Sequence, residues 1–132
     1  MLPSQERMKG EYGRLEGLVL HSQKLEEARS FYQDLLGIAF KEEKHEEGPK
    51  HYAGHLEAGL LLELYPPAKT KMTLSSPTAP LNFSDPGFIF NVHNLEDTLK
   101  RMEGHTKGNV QMLFHGAKIY DPDGRAIYLH KV

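Results

Sequence analysis

The sequence predicts an α+β fold of two paired βαβββ modules that form a concave cleft, and three observations predict it. An internal repeat runs at an offset of 70 residues: Leu18-Val19-Leu20-His21 with Leu25-Glu26-Glu27 matches Phe88-Ile89-Phe90-Asn91 with Leu95-Glu96-Asp97. Gly17 and Gly87 precede the two apolar runs at equivalent places. In both copies the run passes through a polar turn into an amphipathic helix, so the repeated unit is strand-turn-helix. Two such half-domains facing each other leave room for a ligand between them.

The 132 residues suffice for one domain with a real core. Sixteen basic and 18 acidic residues give a net charge of −2. No block of like charge or basic-aromatic interleaving is present, so no nucleic-acid partner is expected. The apolar runs are too short to cross a bilayer, and residues 1–12 hold no hydrophobic stretch for a signal peptide. The expectation is a soluble cytoplasmic protein. The chain has no cysteine, which excludes disulfides, thiol catalysis and Cys-ligated zinc.

Residues 1–13 are polar and read as an extension. A first module covers 14–66, a linker 67–85 and a second module 86–132. Leu15, Leu18, Val19 and Leu20 mark a strand over 15–22, and Ser22–Lys24 form its turn. A helix runs from Leu25 to Leu36, where Leu25, Ala28, Phe31, Tyr32, Leu35 and Leu36 share a face. Glu26 and Glu27 suit its first turn and Gly37 its end. Strands follow at Ile38–Lys44, His51–Glu57 and Leu60–Tyr65. The last two make a hairpin across Ala58-Gly59, which would set Tyr52 opposite Tyr65.

Five prolines (66, 67, 77, 80, 86) mark the linker. Strand Phe88 onward leads to a helix capped by Asn94, with Leu95, Leu99 and Met102 as its stripe and Gly104 as its end. Strands at Val110–Phe114 and Ala117–Tyr120 flank a His115-Gly116 turn. The tight turn Asp121-Pro122-Asp123-Gly124 leads into a last strand, Ala126–Lys131. Each helix covers one face of its own sheet, so alternation assigns the other face. Gly17, Val19, His21, Leu61, Glu63 and Tyr65 point into the cleft from the first module. Gly87, Ile89, Asn91, Ala126, Tyr128 and His130 do so from the second.

The helix Leu25-Glu26-Glu27-Ala28-Arg29-Ser30-Phe31-Tyr32-Gln33-Asp34-Leu35-Leu36-Gly37 resembles the LexSxxFYxdlLG helix of the vicinal oxygen chelate superfamily. That group includes glyoxalase I, bleomycin-resistance proteins and extradiol dioxygenases. Leu61-Leu62-Glu63-Leu64 and the Asp121–Gly124 turn match in the expected order, and the resemblance spans about residues 14–132. It implies the fold, but the superfamily hosts many reactions. Its metal-dependent members hold a divalent ion at four positions, which map here onto Gly17, Glu63, Gly87 and Tyr128. Only Glu63 is a usual ligand, so the resemblance implies the fold strongly and metal catalysis weakly.

The favoured reading is therefore a metal-free small-molecule-binding protein of the bleomycin-resistance type, with no cofactor. Val19, Ile89, Tyr52 and Tyr128 would form its walls, and His21, Glu63 and Asn91 its polar contacts. The alternative is a glyoxalase-like lyase, isomerase or dioxygenase. That enzyme would use Glu63 as general base or a displaced metal site of His21, Glu63 and His130. A third class has a vestigial cleft and works through protein contact. His51 and His55, spaced i, i+4 on a strand, read as non-ligands, and His45 reads as a solvated loop residue. The resemblance also implies a homodimer.

Overall fold

The computed structural model describes residues 13–67 and 86–132; the extension up to residue 12 and the linker over 68–85 lie outside the described residues. The elements run β1 (Gly17–His21), α1 (Leu25–Leu36), β2 (Lys41–Glu43), β3 (His51–His55), β4 (Leu61–Tyr65), β5 (Gly87–Val92), α2 (Leu95–Arg101), α3 (Glu103–Thr106), β6 (Gln111–Leu113), β7 (Gly116–Tyr120) and β8 (Ala126–Lys131). They form two four-stranded sheets, β1-β4-β3-β2 and β5-β8-β7-β6. The β1–β4 and β5–β8 pairs are parallel and the others antiparallel. This is the βαβββ unit twice.

Helix α1 buries Ala28, Phe31, Tyr32 and Leu35, the apolar face of its sequence. Those side chains join Leu20, Leu62 and Leu64 in one hydrophobic cluster that continues through Met102, Ile119, Ile127 and Leu129 of the second module. Each fully buried side chain of this size contributes about 1.5–3 kcal/mol. Gly37 takes the left-handed conformation (φ 67°) that ends α1. Helix α2 starts as its sequence requires, with the Asn94 side chain accepting from the Asp97 amide at 3.0 Å.

Three local expectations are corrected. The β3–β4 hairpin does not turn on two residues. A 3-10 turn at Glu57–Gly59 lengthens the loop, and Tyr52 pairs with Leu64 rather than with Tyr65. A one-residue slip moves a side chain to the opposite face, so Tyr52 lies with the helix, not in the cleft. The β6–β7 turn is Phe114-His115, because Leu113 pairs with Gly116; His115 takes the positive φ of 64°. Gly104 does not end the second helix. The chain bends at Met102, continues as α3, and leaves it through Lys107 at φ 48°. Met102 is fully buried, so its packing holds the bend and the helix resumes beyond it.

The two modules meet at polar as well as apolar contacts. Arg101 donates from Nε to the Asp34 carbonyl at 2.7 Å, and the His105 Nε2 lies 2.8 Å from the Asp34 carboxylate. A cation thus supports the last carbonyls of α1.

Candidate functional site

Strand alternation sorts the side chains of both sheets. Leu62, Leu64, Ile127 and Leu129 are buried against the helices. The intervening residues occupy the helix-free faces. Val19 and Ile89 are 54% and 72% exposed there, high values for apolar strand residues. Val19 pairs with Glu63 and His21 with Tyr65; Ile89 pairs with Tyr128 and Asn91 with His130. Six of the seven expected ligand contacts therefore sit on helix-free faces, three from each module. The seventh, Tyr52, donates its hydroxyl to Glu26 of α1. That bond holds Glu26 below the usual carboxylate range and Tyr52 above the usual phenol range.

The two histidines of these faces and Asn91 already have partners. The His21 Nδ1–H donates to the Pro66 carbonyl at 2.9 Å. The His130 Nδ1 meets the Asn91 amide oxygen at 3.2 Å. Partial burial, with Glu63 and Glu43 nearby, pushes the Tyr65 hydroxyl above its ordinary pKa.

The seam between the modules is closed on one side and open on the other. On the closed side the Asp121–Gly124 turn meets the end of β1. The Asp121 carboxylate accepts from the Tyr32 hydroxyl at 2.6 Å, from the Asp123 and Arg125 amides at 2.9 Å each, and from Arg125 Nη1 at 2.9 Å. Arg125 Nη2 donates to the His21 carbonyl, and Asp123 accepts from the Gln23 amide at 3.0 Å. Burial, then the Asp121 charge, pushes the Tyr32 hydroxyl far above its ordinary pKa. The turn's carboxylates thus join the modules, as a structural role requires.

The pseudo-symmetric turn of the first module lacks this set. Leu61 pairs with Gly17 as Ala126 pairs with Gly87. Counting back, Leu56 and Leu60 stand where Asp121 and Arg125 stand. The backbone agrees: the Leu56 amide donates to the Leu60 carbonyl at 2.7 Å, and the Asp121 amide to the Arg125 carbonyl at 3.0 Å. Gly59 and Gly124 share a left-handed φ, 77° and 85°. With leucines in place of the ion pair, this side keeps a groove of about 750 Å³. Leu18, Leu36, Ile38, Leu56 and Leu60 line it from the first module, and Phe88 to Val92 from the second. A second groove of about 440 Å³ adjoins it at Ile89 and holds Tyr128 and His130. The grooves bring together Ile89, Asn91 and Tyr128 of the expected contacts; Val19, His21 and Glu63 line neither.

The four positions that relatives use for a metal do not fit one here. Gly17 and Gly87 offer no donor. A Cβ built at Gly87 would lie 2.1 Å from the Ala126 carbonyl oxygen, so no ligating side chain can be accommodated there without moving the strand. Tyr128 has the Lys118 ammonium 5.5 Å from its ring centroid, an unfavourable neighbour for a cation. His21, Glu63 and His130 are not among the sets of donors that converge in the described residues. Lys118 itself, 1% exposed and also 5.4 Å from the Tyr120 ring centroid, escaped the sequence reading. Its pairing with Tyr128 across β7–β8 is the signal that could have found it.

The family description "Glyoxalase/Bleomycin resistance protein/Dioxygenase superfamily" matches residues 14–129. No curated protein matches the chain significantly. Among solved structures, the fosfomycin resistance protein FosX from Listeria monocytogenes, complexed with Mn(II) and 1S,2S-dihydroxypropylphosphonic acid, is similar at TM-score 0.65 and 15% identity. The match covers 92% of this chain and 94% of FosX. TnmS3, an antibiotic binding protein from Streptomyces sp. CB03234, is similar at 0.63 and 18%, covering 93% and 98%. A lactoylglutathione lyase from Agrobacterium tumefaciens is similar at 0.57 and 16%, covering 93% and 96%. At these identities the structural likenesses bear on the fold alone.

Proposed function

The chain belongs to the Glyoxalase/Bleomycin resistance protein/Dioxygenase superfamily, and on that premise we propose that it is a metal-free, cytoplasmic small-molecule-binding protein that holds its ligand between the two modules. The observation that carries this reading is the apolar groove of about 750 Å³ beside β5. Its volume falls within the 300–1,000 Å³ of ordinary small-molecule sites. Its walls suit an apolar, drug-sized ligand, with Asn91, His55 and Glu57 as orienting polar groups. Tyr128 and His130 extend the surface past Ile89. The antibiotic-binding description of TnmS3 supports the same ligand class. The lack of donors at Gly17 and Gly87 supports binding without the family's metal.

Exposed apolar side chains, Phe114 at 90% and Met112 at 63% among them, support a homodimer; light scattering of the full chain tests it. A thermal-shift screen of apolar antibiotics in excess EDTA tests the binding reading. A ligand at 100 times its Kd should stabilise the fold by about 2.7 kcal/mol. The shift should vanish in Leu60→Asp, which puts a charge in the groove. The enzyme reading, with Glu63 as base, instead requires turnover that Glu63→Gln abolishes. No shift with any compound, or turnover dependent on Glu63, overturns the proposal.

A further inference from the structure

We propose that Glu43, His45 and His51 form a divalent-cation site with the geometry of zinc, at the outer edge of the first sheet and away from the four positions its relatives use. Glu43 and His51 are direct cross-strand partners on β2 and β3. His45 follows two residues after Glu43. A turn in which the Gly48 amide donates to the His45 carbonyl at 2.7 Å returns the chain toward β3. The potential ligand atoms of all three lie within 4.8 Å of one another.

The two distances from Glu43 suit a tetrahedron. The Glu43 Oε2 lies 3.4 Å from His45 Nε2 and 3.5 Å from His51 Nε2. Zinc bonds of 2.0–2.2 Å at tetrahedral angles set ligand atoms about 3.4 Å apart, whereas an octahedral ion would draw them to about 3.0 Å.

His51 supplies the second, independent observation. It is 1% exposed, and its Nε2 has no hydrogen-bond partner. A buried nitrogen left unpaired is destabilising, and a bound cation removes that cost. Nδ1 lies 3.1 Å from the Pro49 carbonyl, which can only accept, so Nδ1 carries a proton there and Nε2 is the ring nitrogen turned toward Glu43. A backbone carbonyl on the distal nitrogen is the usual outer-shell support of a metal-bound histidine. The Tyr65 ring, stacked at 4.1 Å and 7°, fixes the plane of the imidazole. Three protein donors leave a fourth position for water or an anionic group.

The test is a zinc titration of the full, tag-free, EDTA-stripped chain in competition with a chromophoric chelator. One Zn²⁺ per chain is expected. Glu43→Gln and His45→Ala, both at solvent-accessible positions, should each weaken it at least about tenfold with unchanged circular dichroism, and Glu63→Gln should leave it unchanged. No stoichiometric binding, or binding indifferent to Glu43 and His45, overturns the site and leaves the groove reading intact. Binding lost in Glu63→Gln places the ion at the family's positions and overturns both.

Discussion

Replacing Arg125 by Met removes one guanidinium from the closed side of the seam while keeping most of its aliphatic stem. Its effect follows from what remains. The Asp121 side chain has no exposed surface and that of Asp123 only 2%, while Arg125 is the cation 2.9 Å from the first and 3.6 Å from the second. Burial, the largest influence, would lower the Arg125 pKa, but the charge and hydrogen bond of Asp121, together with Tyr32 and Asp123, turn the net direction upward. Breaking a buried pair leaves an uncompensated charge and costs about 3–5 kcal/mol. The His21 carbonyl also loses its donor. For a chain of this length the midpoint should fall by roughly 10–20 °C. Urea denaturation followed by circular dichroism measures the free-energy loss and a thermal melt the midpoint, with Arg29→Met as control. Arg29 pairs with the exposed Glu26 at 3.3 Å, a bond worth less than about 1 kcal/mol. A loss below about 1 kcal/mol in Arg125→Met would refute the claim that this ion pair joins the modules.

Other outcomes follow from single contacts. Tyr52→Phe should raise the Glu26 pKa toward its ordinary value, read by carboxyl NMR titration. Because the folded pKa is depressed, the stability linked to Glu26 is present above the unfolded carboxylate pKa and fades as pH falls through the folded one; in Tyr52→Phe this acid dependence should flatten. Gly87→Ala places a methyl against the Ala126 carbonyl and should cost about 1–3 kcal/mol in urea melts, as overpacking does; a neutral result would reopen that position to a side chain. Asn94→Ala should cost about 1 kcal/mol through the lost cap, with reduced protection of the α2 amides in hydrogen exchange.

What could be read from sequence was set by local chemistry. Helix α1 was legible because its apolar spacing, acidic first turn and terminal Gly37 agree with one another. The repeat revealed the two modules, and alternation placed Leu62, Leu64, Ile127 and Leu129 on the helix side. Register was harder, because it depends on loop length. Ala58-Gly59 suits a tight turn, but the chain takes a 3-10 turn and Tyr52 changes face. Gly104 looked like a helix end, yet tertiary packing of Met102 sets where the helix bends. The Glu43–His45–His51 cluster is hidden for the same reason: the i, i+4 spacing of His51 and His55 on one strand points away from a ligand, and only cross-strand pairing brings Glu43 to His51. The groove was invisible in sequence because it arises where leucines replace Asp121 and Arg125, a difference that matters only once the two turns are superposed by their strand pairing.

The most direct test of a ligand held between the modules without the family's metal is the affinity of one apolar antibiotic hit, measured by calorimetry on the full chain in EDTA and again in Mn²⁺. Equal affinities, retained in Glu63→Gln and lost in Leu60→Asp, are the predicted result. Binding that requires Mn²⁺ and disappears in Glu63→Gln would contradict it.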